Sequence, residues 1–353
     1  MEKAERSGLT LPAFLAAVLL ASCAGPDATA QAENKLPGSQ AGRIGDIDPA
    51  PNLNCCNELE PVDLPPLVVL PESYVAMDEP AVPPPPFIAC AGPATQGGAI
   101  VCRANPGGTI LLDGKPVAIA GDDGVAIIGL RRDAPKEVRI GARIAGSEYE
   151  AAATVEVLSR TDAVSKFSME CNKIAAQSPQ EKRHAEVSWV KKDKALKMFA
   201  PPVSGLGFLK PAEGPYSSPF GAVRTYVPKT KDCEGSTNVH NGQDIAIPTG
   251  TEILAPMGGT VLLADPDLYY EGGAVFLDHG HGLVSVMMHM SRIDVADGQV
   301  VGQGDVLGLS GATGRVTGPH LHWAIKYRNV HSDDRGTDIW LDPVLMMEMS
   351  LPQ

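Results

Sequence analysis

From Gly214 onward the chain is a succession of short aliphatic and β-branched runs cut by glycine and proline: "TEILAPMGGTVLLAD", "GAVFLDHGHGLVSVMMHMS", "GQVVGQGDVLGLSG" and "HLHWAIKYR". Runs this short, bounded by turn formers, read as strands and hairpins with few helix signals. In a strand, side chains two apart share a face. His320 and His322 in "TGPHLHWAI" therefore point the same way, with Leu321 on the opposite face.

The same parity applies upstream, where His240 and Asp244 in "HNGQDIAIP" lie four apart and converge whether the segment is extended or one helical turn. Two imidazoles and a carboxylate suit a borderline cation, above all Zn2+, and three protein ligands leave a fourth position open, as in catalytic rather than structural sites. His289 closes a strand rich in Val and Met. An H-x-H pair alone, or a lone His at a strand end, is more often structural; the added H-x-x-x-D and glycine-rich approach give the metal reading its force. The glycines of "GATGRVTG", Gly311 to Gly318, are not followed by the Gly-Lys-Ser/Thr of a phosphate loop, so they are expected to deliver His320. His279 and His281 in "DHGHG" are expected to be exposed in a hairpin turn, and His331 in a loop.

The N-terminus, "MEKAERSGLTLPAFLAAVLLASCAG", has a short polar start and an apolar run from Leu9 to Ala21. That run falls short of the roughly 20 residues a membrane span needs, and reads as an export signal. Its end, Leu20-Ala21-Ser22-Cys23, resembles the lipobox of bacterial lipoproteins, which implies lipidation of Cys23 and attachment to a membrane; Ala24 after it points to the outer membrane. Export implies an oxidising compartment, and six cysteines then remain: Cys55, Cys56, Cys90, Cys102, Cys171 and Cys233. Cys90 and Cys102, at hairpin-like spacing, are the pair to test first. No C-x-x-C pair is present, which argues against cysteine-ligated zinc.

Residues 24–86 are proline-rich and acidic, with ten Asp or Glu against two Lys or Arg, and carry −8 of the total charge of −13. The stretch reads as a tether, able to reach on the order of 200 Å when drawn out. The remainder is only mildly acidic, and no broad basic surface for nucleic acid is left. Residues 87–160 alternate β-rich runs with turn signals at Asp113-Gly114 and Asp123-Gly124, the pattern of a small β-sandwich that acts as a spacing or docking module. Between Arg160 and Ala200 the composition turns to Lys, Glu, Ala and Gln, read as helix and linker, with His184 on a solvated face.

The order "SSPFGAVR", "HNGQDIAIPTGTEILAPMGGTV", "VFLDHGHGLVSVMMHMS", "VVGQGDVLGLSGATGRVTGPHLHW" and "LDP" resembles the lysostaphin-type (LytM-like) zinc endopeptidases over Gly214 to Pro343. The resemblance implies an antiparallel β-sheet with a groove whose floor carries the site, and hydrolysis of peptide bonds in bacterial peptidoglycan; export as a lipoprotein suits crosslinks between stem peptides on the periplasmic side of the envelope. By the same resemblance His240, Asp244 and His322 would bind zinc, while His289 and His320 would be catalytic. The family commonly has an aromatic two residues before the catalytic His, where this chain has Met287; that departure bears on substrate fit or efficiency. Some relatives that have lost zinc ligands act instead as non-catalytic regulators that activate a separate cell-wall amidase. That is the alternative reading, and it would make other cell-wall enzymes partners. The expected organisation is mainly β: 1–22 a lipoprotein signal peptide, 23–86 the tether, 87–160 the small β-sandwich, 161–210 a helical or irregular linker, and 211–353 the zinc peptidase domain.

Overall fold

The computed structural model describes residues 84–349 except 175, 177, 204, 333 and 334. Cys23, Cys55, Cys56 and nearly all of the expected tether lie outside the described residues. Every described residue belongs to one compact unit, Met77–Gln353. Among the described residues no helix is long and apolar enough to cross a membrane.

The first part is built from two small sheets. Ile88–Cys90, Ala99–Ala104 and Val125–Gly129 form one, in that order; Ala94–Thr95, Ala151–Leu158, Glu137–Arg143, Thr109–Leu112 and Lys115–Ile119 form the other. Their inner faces follow the period of two: Val138, Ile140 and Ala142 of "EVRIGAR" are buried, while Glu137, Arg139 and Arg143 are exposed. Both residues of the Asp113-Gly114 turn have positive φ, 49° and 81°, the conformation that two-residue hairpin loops favour. Cys90 and Cys102 face each other on paired strands and form a disulfide.

The second part is centred on an antiparallel sheet. Its order is Tyr216–Ser218, Gln243–Ile245, Leu321–Tyr327, Leu283–Met290, Gly272–Gly280, Gly259–Leu268 and Val300–Val301, and Ile339–Leu341 pairs with the end of Leu321–Tyr327. Each face has its own core. Leu321, Trp323, Ile325 and Tyr327 pack with Leu283, Met287 and Ile245 on one side. On the other, Ala324, Phe276 and Val286 pack against Ala195 and Leu196, which end the helix Pro179–Leu196. That helix starts with a capping box: the Ser178 hydroxyl accepts from the Glu181 amide, and the Glu181 carboxylate accepts from the Ser178 amide.

The region expected to be helical or irregular linker, 161–210, also contributes a strand. Val164–Met169 pairs in parallel with Val223–Pro228, which pairs in turn with Ser236–Val239, and the Cys171–Cys233 disulfide joins the end of this sheet. The sandwich packs directly on the second part. The Tyr327 hydroxyl donates to the Val117 carbonyl at 3.0 Å, and the Tyr327 ring occupies the space that a Cβ at Gly129 would need, 2.7 Å away.

His279 departs from the expectation of exposure. It is the penultimate residue of Gly272–Gly280 and fully buried, donating from Nδ1 to the Gly258 carbonyl at 3.0 Å and accepting at Nε2 from the Ser285 hydroxyl at 2.8 Å. His281, in the turn that follows, is half-buried with φ 51°. Burial pushes the His279 imidazole down to about 4, the Gly258 contact opposing only part of that. The unfolded chain therefore binds more protons than the fold between its ordinary value, about 6.5, and about 4. Stability is expected to fall as pH drops through that window, with His279 contributing a few kcal/mol of the loss. Denaturant unfolding at pH 7, 5 and 4 checks this: the His279→Gln variant should show a shallower pH dependence than the wild type.

Candidate metal centre and its groove

Strand pairing brings the expected ligands together. His322 lies directly opposite Asp244, on the neighbouring strand Gln243–Ile245, while Leu321 and Trp323 on either side of it are buried in the opposite core. His240 follows the strand Ser236–Val239 and is held by two backbone bonds, from its amide to Ala222 O and from the Gly221 amide to its carbonyl, at 2.9 and 2.8 Å. The turn from His240 to Asp244 passes so close to His322 that a Cβ at Gly242 would lie 2.6 Å from His322 Nε2. Any larger residue there would push the His240 loop away from its partner.

Three atoms converge. His240 Nε2 lies 3.0 Å from His322 Nδ1 and 3.0 Å from Asp244 Oδ1, and His322 Nδ1 lies 2.9 Å from the same carboxylate oxygen. His240 Nδ1 is 2.8 Å from the Pro219 carbonyl, which can only accept, so the ring proton sits there and Nε2 presents a bare lone pair. A lone pair and a carboxylate oxygen at 3.0 Å repel unless a proton or a cation stands between them. Tetrahedral ligands at about 2.0–2.1 Å from an ion lie little more than 3 Å apart, so the spacing and the donor types fit zinc.

The second carboxylate oxygen, Asp244 Oδ2, accepts from Arg224 Nη2 at 2.7 Å, and the same nitrogen contacts the Ser218 hydroxyl at 2.6 Å. Burial alone would raise the Asp244 carboxyl, but the neighbouring His240 and His322 rings hold it well below the usual carboxylate range. Oδ1 is thus an ionised donor, and Arg224 fixes its orientation. Arg224 falls within the "SSPFGAVR" motif, yet nothing in its spacing from the histidines marked it as a partner of Asp244.

His289 reaches the site through a break in strand alternation. Met288 belongs to the same side as Val286 and Ala324, whereas Met287 and Met290 both pack in the opposite core. Residues 287 and 290 can share a side only if one residue between them is extra. His289 is that residue, with φ 66° at a register shift. Its ring centroid is then 4.8 Å from that of His320 and 6.1 Å from that of His322. Its Nδ1–H donates to the Thr313 carbonyl at 2.9 Å, and the Nδ1–H of His320 donates to the Gly318 carbonyl at 2.8 Å. The Gly311–Gly318 loop therefore orients both rings. His320 Nε2 is 3.8 Å from Asp244 Oδ1. Burial, reinforced by His322 and His320, pushes the His289 imidazole down to about 3, so it is neutral near pH 7.

All five residues border one open cavity of about 720 Å³, walled also by Phe167 and Tyr226 and by Tyr270 and Arg315. Met287 does not border it: its side chain is fully buried beside Trp323, while Met288 lines the groove. The aromatic-to-methionine departure is thus a change in the core beneath the groove, and not in its lining.

The family model described as Peptidase family M23 matches residues 238–334, a range that contains His240, Asp244, His289, His320 and His322. A crystal structure of a Pseudomonas aeruginosa M23 peptidase aligns over 72% of this chain and 96% of its own, at 30% identity and TM-score 0.52. The chain belongs to peptidase family M23. Among curated relatives, the peptidoglycan DD-endopeptidase ShyA of Vibrio cholerae is 43% identical over 89 residues, 25% of this M23 chain and 20% of ShyA. The DD-carboxypeptidase/endopeptidase Mpg of Neisseria meningitidis is 37% identical over 107 residues, 30% of this chain and 23% of Mpg. This M23 chain thus spans about a fifth of the length of the curated relatives it matches. Arg224, and the wall strand Val164–Met169, lie ahead of the matched family range.

Proposed function

We propose that this chain is a zinc-dependent endopeptidase that hydrolyses peptide crosslinks of bacterial peptidoglycan. In the same reading it is held on the periplasmic side of the outer membrane by a lipid on Cys23, with residues 24–86 as the tether. The observation that carries the hydrolase reading is the meeting of His240 Nε2, Asp244 Oδ1 and His322 Nδ1 at the floor of an open groove, beside two further histidines. The lipobox-like Leu20 to Cys23 supports the attachment.

His240, Asp244 and His322 would hold the metal, which when bound supplies a Lewis acid that polarises a peptide carbonyl and eases deprotonation of water. The chain's own histidines handle the protons. His289 and His320 each donate an Nδ1–H hydrogen bond to a backbone carbonyl, which leaves Nε2 of each ring as the nitrogen able to take a proton in the groove. One of the pair takes the proton of the attacking water as the new C–O bond forms. A proton returned to the departing amine then lets the C–N bond break. No glutamate on an H-E-x-x-H helix is present to serve instead.

The test is metal analysis of the purified protein together with digestion of peptidoglycan sacculi, the products identified by mass. Stoichiometric zinc and release of uncrosslinked stem peptides are expected. A metal-free chain that releases nothing by itself but raises the activity of a separate cell-wall amidase would replace this reading with the regulatory one.

Arg224 gives a graded check on the ligand assignment. Replacing Arg224 with Met removes the contact to Asp244 Oδ2 and should weaken zinc binding about 10- to 100-fold, the usual cost of losing such a supporting hydrogen bond. Competition with a chelator measures it; unchanged zinc retention would show that Asp244 needs no such support.

A further inference from the structure

Four charged side chains other than histidine border the groove: Arg224, Asp244, Glu271 and Arg315. Arg224 and Asp244 neutralise each other, and Glu271 is paired with Lys192. Arg315 has no carboxylate partner among the described residues. Its guanidinium carbon lies 4.9 Å from the ring centroid of Tyr270 and 5.8 Å from that of Tyr226, and its amide donates to the Tyr270 carbonyl at 2.8 Å. Two aromatic faces and a backbone bond thus hold a charged, half-buried fork in place on the groove wall.

We propose that Arg315 recognises a free carboxylate on the peptide substrate, on the residue that donates the scissile amine. The inference rests on the peptidase reading and narrows it to peptides that carry an acid group beside the cleaved bond. A guanidinium donates two parallel hydrogen bonds to a carboxylate, a pairing that an amide of the same shape cannot match. The position also ties recognition to chemistry. Arg315 lies between Thr313, whose carbonyl orients His289, and Gly318, whose carbonyl orients His320. A carboxylate seated on Arg315 therefore bears on the segment that sets both rings.

The experiment uses a crosslinked stem-peptide dimer in two versions, with a free carboxylate or a carboxamide on the residue donating the scissile amine. The full-length protein is expected to favour the free acid by about 10- to 100-fold in kcat/KM, the range of a hydrogen-bonded charge pair. Arg315→Gln should bring the two substrates within about threefold of each other, and Arg315→Lys should keep part of the preference. Equal rates on both dimers in the wild type, or an equal loss on both in Arg315→Gln, would overturn the proposal. Binding of the same dimers to a His289→Ala background separates the two levels. No cleavage by the wild type, with a binding preference in the His289→Ala background that needs Arg315, removes the peptidase reading and leaves the carboxylate site standing; neither wild-type cleavage nor preferential binding removes both.

Discussion

Substituting Ala for His322 is expected to abolish stoichiometric zinc and to lower hydrolysis of crosslinked stem peptides by at least about a thousandfold, since one of the three proposed protein ligands is lost. The side chain contributes little to folding beyond the site. It faces the groove while its neighbours Leu321 and Trp323 fill the opposite core, so its removal leaves the sheet packing in place. Relief of the crowding around Asp244 Oδ1 offsets part of the lost hydrogen bond. Metal analysis, a thermal melt and a cleavage assay together check the result. A folded His322→Ala protein that still holds zinc and still cuts would show that the ligand set is different.

His289→Ala is expected to separate chemistry from metal binding. His289 contributes no atom to the three-way contact of His240, Asp244 and His322, so zinc content should be unchanged. Its ring bears on the groove through Nε2, and loss of a positioned proton-transfer group costs about 10²- to 10⁴-fold in kcat. The expected signature is a kcat defect with KM little altered. Zinc loss in this variant would instead make His289 a ligand, and an unchanged kcat would leave His320 as the sole histidine of the proton transfer. The left-handed conformation at 289 adds a control: Asn, which tolerates positive φ, should preserve the local strand geometry better than Ala while still lacking the imidazole.

Much of the centre was legible because it obeys the period of two. His320 and His322 share a face with Leu321 beneath, and Asp244 meets His322 across one strand pairing. His289 was legible only as a motif residue. Strict alternation places it with Met287 in the core, and the inserted residue that turns it into the groove is a property of register that no local pattern announces. The burial of His279 escapes local pattern for a related reason. Its "DHGHG" setting reads as a polar turn, but the turn begins after it, and two hydrogen bonds make a fully buried imidazole tolerable. The strand Val164–Met169, "VSKFSM", was hidden because most of its residues remain exposed and its Lys and Ser carry no apolar alternation. Only pairing with Val223–Pro228 makes it a strand.

That strand redraws the edge of the working unit. Ser165, Phe167 and Met169 form one bank of the trough, although the family segment starts only at residue 238. A fragment cut to the family segment would keep both histidine pairs and the aspartate yet lose that bank, along with Arg224 behind the candidate metal centre. Substitutions on that bank, upstream of the family segment, can thus change what the groove admits while leaving the histidines and Asp244 untouched.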